Sequence, residues 1–239
     1  MGKTGSGKST LINSVLMGNV APTGNGQRIT TENKLYSRDM LLPLASSISS
    51  DSCYRAARRR LNLYDTVGLE IDKGITKKTL EDIKRFLQKA RENKNDITMV
   101  WFCVNDRCSR FENYEVRLIR ELSMEYEIPF VIVLTQCFSN EKGELEKQIE
   151  EDLSEVARVR VLAEEYRLAA GIVIHAFGIQ ELLVSSISDY SHNKVKLLKR
   201  KLESLSLDLL TEIDQSFDNG VREDGRMVAR IREEIKNYL

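Results

Sequence analysis

Proline is nearly absent, at 3 of 239 residues, and neither sign of charge dominates: 36 lysines and arginines stand against 36 aspartates and glutamates, a formal net charge of +0. That balance removes the global electrostatic case for nucleic acid or an anionic membrane as the principal partner. No stretch reaches the roughly 18 consecutive apolar residues of a membrane span, and no signal-peptide pattern opens the chain. The four cysteines, Cys53, Cys103, Cys108 and Cys137, have no CxxC spacing. A reduced, cytoplasmic compartment suits them better than a disulfide frame or a zinc site. No internal repeat is evident. What is present is 41% hydrophobic and 30% charged residues, which predicts a helix-rich soluble chain with one sizeable core, or one domain with an appendage.

The chain opens Met1-Gly2-Lys3-Thr4-Gly5-Ser6-Gly7-Lys8-Ser9-Thr10, and residues 2–9 satisfy every fixed position of the P-loop pattern GxxxxGK[ST]. The glycines permit the backbone angles that turn successive N–H groups inward around a phosphate. Lys8 supplies a compact charge for the β- and γ-phosphates, and Ser9 offers a hydroxyl to magnesium. The amphipathic run Leu11–Leu16 then begins a helix whose positive end faces the phosphates. A P-loop ordinarily hangs from the end of a buried parallel strand, and only Met1 precedes this one. The natural protein is therefore expected to carry roughly 5–8 further, mostly apolar residues before Met1.

Residues 18–33 read as a polar, glycine-containing loop and Lys34–Ser37 as a short strand. Residues 38–60, with a serine-rich patch and Arg55, Arg58, Arg59 and Arg60, read as an insertion or second mobile segment whose arginines are expected to form a solvated face, a grip on phosphate or a partner being the alternative. Leu61–Tyr64 reads as a strand entering Asp65. Ile75–Asn93 and Phe111–Tyr126 have helical periodicity, and Ile97–Val104 and Phe130–Leu134 are the near-continuous apolar runs of strands buried on both faces. Glu141–Ala169 is predicted to be one helix ended by Gly171, Ile172–Ile174 a third strand, and almost everything from Gly178 to Leu239 helical. Strands alternating with helices predict an α/β domain over residues 1–190 with a mainly parallel sheet, followed by a helical extension over 191–239. In that extension Lys194–Leu210 is basic at its start, with leucines at helical spacing. It is expected to pack back on the domain, a membrane surface or a protein partner being the alternatives. Cys103 lies within an apolar strand and reads as core rather than as a thiol catalyst paired with His175.

Asp65-Thr66-Val67-Gly68 follows a strand and has the DxxG pattern. P-loop, threonine-bearing polar loop and DxxG, in that order, resemble the translation-factor-related (TRAFAC) P-loop GTPases. The wording GKTGSGKST most resembles their septin, chloroplast-import-receptor and immunity-associated members. The resemblance covers residues 2 to about 190 and implies a three-layer P-loop NTPase G domain, its first strand missing here. It further implies that Gly2 to Thr10 hold the phosphates, with Lys8 catalytic. Ser9 and Thr30 (with Thr31 as fallback) would bind magnesium directly, Asp65 would bind it through water, and Gly68 would sense the γ-phosphate. The family reads its base with [NT]KxD, and this chain has Thr135-Gln136-Cys137-Phe138. Thr135 fits, Gln136 replaces the lysine that packs on the nucleotide, and Phe138 replaces the aspartate that reads guanine. The family's closing serine-alanine pair corresponds to His175-Ala176.

By the same resemblance the expected function is Mg2+-dependent hydrolysis of GTP to GDP by a conformational switch. Leu69 stands where Ras-like members have a water-orienting glutamine, so intrinsic turnover is expected to be slow. Relatives lacking that glutamine often gain activity by pairing their G domains face to face, and the resemblance implies the same option here, a homodimer through the nucleotide face. Glu70, Lys73 or an arginine of the 55–60 cluster is then available across the interface. Two alternatives remain open on sequence: a non-hydrolysing nucleotide-binding module, and an ATPase that exploits the altered base motif.

Overall fold

The computed structural model describes residues 1–23, 33–43, 56–66, 77–93, 95, 97–107, 110–126 and 128–187. Contacts divide the chain into Met1–Tyr190 and Ser191–Leu239. The predicted helical extension, including Lys194–Leu210, lies outside the described residues.

Three strands form a parallel sheet in the order β3 (Val100–Asn105), β4 (Phe130–Thr135), β5 (Ala157–Val161). The register runs from Val100 opposite Phe130 to Thr135 opposite Val161. β4 is the centre: Val131, Ile132, Val133 and Leu134 are each 0% exposed, as an uninterrupted apolar run requires. Its side chains alternate between two cores. On one face Phe102, Val104, Ile132 and Leu134 meet α3 (Asn113–Tyr126), α4 (Glu144–Asp152) and Leu87 of α2 (Lys77–Glu92). On the other, Cys103, Val131, Val133, Val159 and Val161 meet Leu11 and Val15 of α1 (Lys8–Val15) and Leu182 and Leu183 of α5 (residues 179–187). Helices on both faces make the three-layer α/β sandwich that the alternating pattern predicts. Each fully buried aliphatic side chain contributes about 1.5–3 kcal/mol, so the sheet positions the loops at its C-terminal edge firmly.

Met1 and Gly2 run beside β3. The Met1 ammonium donates to Trp101 O at 2.6 Å, Cys103 N donates to Met1 O at 2.7 Å, and Gly2 bridges Cys103 in parallel. The glycine-rich loop thereby leaves the sheet at the C-terminal ends of its strands.

Three sequence expectations are corrected. Residues 38–43 and 56–60 are strand, not insertion: β1 (Lys34–Pro43) pairs antiparallel with β2 (Ala56–Asp65) over ten residues each. Tyr36, Met40, Leu42, Leu61 and Leu63 line the inner face of this hairpin against α1. Arg38 lies on that face too; its guanidinium donates to Leu16 O and, at 2.9 Å, to Met17 O, a cation at the C-terminal end of α1. Arg58, Arg59 and Arg60 are exposed on β2. Pairing and one-sided packing set these strands, neither of which shows in an arginine- and alanine-rich stretch.

The second correction is the long helix over 141–169. It ends at Asp152, and Ala157–Val161 is the third parallel strand. Val159 and Val161 face α1 and α5, while Arg158 and Arg160 face α4. There Glu146 and Glu150, one helical turn apart, pair with Arg160 at 2.8 Å and Arg158 at 3.0 Å. Arginine and alanine favour helix locally, but the period-2 alternation matches a sheet with one apolar and one ion-paired face. The third follows from it. Val173–Ile174 (β7) is not the next strand of the sheet but pairs antiparallel with Tyr166–Arg167 (β6) in a two-residue ribbon, joined by a 3-10 turn at Ala169–Gly171.

Arg160 is the pin of this region. Besides Glu146 it pairs with Asp106 at 3.0 Å and donates to Ser139 O at 3.2 Å, tying α4 and the loops after β3 and β4 to β5. All three charged side chains are under 20% exposed, at 11% for Arg160, 18% for Asp106 and 13% for Glu146. Arg160→Met is therefore expected to strand two half-desolvated carboxylates and lower unfolding free energy by about 3 kcal/mol. Urea denaturation measures it, and a loss below about 1 kcal/mol would mean that the pairs are no better than surface ones.

Candidate functional site

The glycine-rich loop is wrapped as its sequence requires. Gly2 has φ 138°, and a Cβ there would lie 2.2 Å from Cys103 O, so no other residue fits against β3. Gly7 is left-handed at φ 74° and opens α1, and a Cβ on it would meet Thr135 at 3.4 Å. No side chain caps α1 and its first turn has no acidic residue, which leaves the helix N–H groups open to an anion. Lys8 folds over this opening, its Nζ donating to Gly2 O at 3.1 Å and Lys3 O at 2.8 Å. Burial lowers the Lys8 pKa, with Asp65 and Cys103 opposing. An ammonium held on backbone carbonyls at the mouth of a helix is poised to exchange them for phosphate oxygens.

Beside it, Ser9 Oγ donates to Asp65 Oδ2 at 2.8 Å, joining residues 56 positions apart. Asp65 ends β2 and is 1% exposed. A hydroxyl and a carboxylate are hard oxygen donors of the kind Mg2+ takes, and two protein oxygens suffice because the ion keeps waters and phosphate oxygens for its remaining positions. The residues present thus fit the expected ion. Thr135 closes the loop from the sheet side, its Oγ1 donating to Ser6 O at 3.0 Å and lying 3.2 Å from Val104 O.

Gly2 to Thr10, Asp65 and Thr135 are therefore brought together. Thr30, Thr31, Gly68, Leu69, Glu70, Lys73 and Arg55 lie outside the described residues. Gln136 is exposed, with φ 57°, directly after the Thr135 anchor. Phe138 stacks on Tyr166 of the ribbon, centroids 4.5 Å apart and planes at 32°, with the Arg107 guanidinium 5.4 Å from its ring. His175-Ala176 needs correction as the pair after the last parallel strand: that strand is β5, and Leu162-Ala163 follow it. Ala163 O accepts from Ser14 Oγ of α1 at 2.6 Å, whereas His175 follows β7 with its side chain 85% exposed, 3.8 Å from Glu165. Phe177 still bridges Leu162, so the two stretches are neighbours.

Sequence reasoning missed Glu115, Arg107, Tyr166 and Arg160. For Glu115 the signal existed: it sits four residues before Ile119 and seven before Leu122, both 1% exposed, so helical spacing puts a carboxylate on the apolar face of α3. The free thiols Cys103 and Cys137 are buried as core.

A phosphate-wrapping loop at the carboxyl edge of a parallel sheet, with its serine already joined to a strand-end aspartate, makes this a P-loop nucleotide-binding protein. The family model described as 50S ribosome-binding GTPase matches residues 1–136, more than half of the chain, and the chain belongs to that GTPase family. Guanine-nucleotide binding comes with the family. Among solved structures, the chain is similar to that of the chloroplast translocon components atToc33 and psToc159, for which dimerization is important for the GTPase activity. The likeness has a TM-score of 0.51 at 19% identity and covers 80% of each chain. It bears out the G-domain fold. No curated protein matches the chain in sequence comparison.

Proposed function

We propose that the chain is a Mg2+-dependent GTPase that turns over slowly and works as a conformational switch, paired through its nucleotide face. The observation that supports this reading most is the Ser9–Asp65 hydrogen bond beside the Lys8 ammonium, which brings side chains of two separate motifs together. Ser9 and Asp65 would hold the ion, which when bound neutralises charge on the β- and γ-phosphate oxygens. Gly7 opens α1 so that its N–H groups receive the phosphates. Lys8 leaves the Gly2 and Lys3 carbonyls for them, and Thr135 braces the loop at Ser6. Thr30 and Gly68 complete the site on this reading, as the second metal hydroxyl and the γ-phosphate sensor.

Leu69 cannot orient an attacking water, so intrinsic turnover is expected on the order of 10⁻⁴ s⁻¹. The similarity to proteins whose activity depends on dimerization supports a partner copy as the remedy. Turnover per molecule should rise with protein concentration. Phosphate release measured across a roughly hundredfold dilution tests it, and flat specific activity overturns the paired mechanism. A reducing cytoplasm is the compartment this reading carries.

A further inference from the structure

The P-loop has two lysines, and the phosphate chemistry uses only Lys8. Lys3 turns away, to α3: its Nζ lies 2.9 Å from Glu115 Oε2 and 5.6 Å from the centre of the Tyr114 ring. Glu115 is 1% exposed, and burial pushes its carboxyl up, opposed by the Glu112 amide and by Lys3. The same Oε2 accepts the Glu112 backbone N–H at 2.9 Å. That bond is the helix-start bond of a capping glutamate, and a capping glutamate needs neither burial nor a cation from another element. The second partner is therefore what needs explaining.

Its consequence lies in the backbone of Lys3. Lys3 O accepts from Lys8 Nζ at 2.8 Å and from Ser6 N at 3.2 Å. The carboxylate of α3, the side chain of Lys3, its carbonyl and the Lys8 ammonium form one chain of contacts, buried at its Glu115 end. Resting on the P-loop reading above, we infer that Glu115 is a positioning residue for nucleotide binding: through Lys3 it fixes the first turn of the P-loop, the Ser6 N to Lys3 O turn that stays in place when the Lys8 ammonium moves to phosphate. The loop is then set before phosphate arrives, and nucleotide binding does not spend free energy on ordering it.

Glu115→Gln keeps the capping bond to Glu112 and removes the charge, so it separates the two roles. Lys3→Met removes the other partner. Calorimetric titration of the full chain with GDP, with a slowly hydrolysed GTP analogue and with inorganic triphosphate, each with Mg2+, reads the effect at a temperature where all variants are folded. Each single variant should weaken all three ligands about tenfold, and the double variant should be no weaker than the worse single. An equal loss for inorganic triphosphate is the signature of the phosphate half, which general loosening of the fold would not single out. Affinities within about twofold of the parent, or single losses that multiply in the double variant, overturn the inference. Lys8→Ala run alongside keeps the two claims apart. If it binds normally, the P-loop reading itself fails; if it loses binding while Glu115→Gln and Lys3→Met keep it, only the positioning role fails.

Discussion

Lys8→Ala should lower affinity for every nucleoside triphosphate by at least about a hundredfold, roughly 3 kcal/mol of charge-assisted hydrogen bonding. The size of the effect follows from where the ammonium sits. Its residue is half-buried, and its present partners are two backbone carbonyls, Gly2 O and Lys3 O. A phosphate oxygen is a better partner than either, because it brings charge. The fold should tolerate the change. Lys3 O retains the Ser6 amide, and Gly2 remains against Cys103. Thermal denaturation without nucleotide should therefore shift by only a few degrees, on the order of 1 kcal/mol. Fluorescence titration with labelled GTP and ATP measures the binding loss. Undiminished affinity in a folded Lys8→Ala protein would overturn the whole account of the site, since the motif, the open helix end and the Ser9–Asp65 pair all derive their meaning from that ammonium.

The parts legible in sequence were those whose signal is local. Eight consecutive residues specify the P-loop, and β3 and β4 announce themselves as apolar runs because both their faces are buried. Asp65 was found by its order after the P-loop, and the structure supplies the contact that order only implied. What failed to show was set at a distance. Arg158 and Arg160 look like helix until Glu146 and Glu150 are brought opposite them, which depends on a turn after Asp152 that no periodicity announces. With 141–169 read as one helix, the strand Ala157–Val161 is not seen, and the expected closing pair falls on His175-Ala176 rather than on Leu162-Ala163, which follow that strand. The β1–β2 hairpin was hidden in the same way, its inner face defined by α1 rather than by its own composition. Glu115 differs from these: its place on the apolar stripe of α3 was visible, but Lys3 as its partner was not.

At the base end, GTP and ATP are expected to bind within about tenfold of each other, and Phe138→Asp to raise the preference for GTP by about 10–100-fold. Guanine selection requires a carboxylate that accepts from N1–H and the N2 amino group, and position 138 offers a ring instead. Three described carboxylates of this part of the chain already have cationic partners. Asp106 and Glu146 are held by Arg160 at 3.0 and 2.8 Å, and Glu165 lies 3.2 Å from Arg167. What Phe138, Tyr166 and Arg107 present together is stacked rings and a guanidinium, chemistry that meets the face of a base and treats purines alike. Converting Phe138 to aspartate gives up a ring pair worth about 1 kcal/mol and supplies two charge-assisted hydrogen bonds to guanine alone. Competition of GTP and ATP for one labelled nucleotide, on parent and Phe138→Asp, reads both numbers. A parent that already prefers GTP by more than about a thousandfold would require an edge-reading group that the rings do not provide. An unchanged ratio in Phe138→Asp would mean that the side chain at position 138 does not reach the base at all, and that the Phe138–Tyr166 pair only anchors the ribbon to the loop after β4.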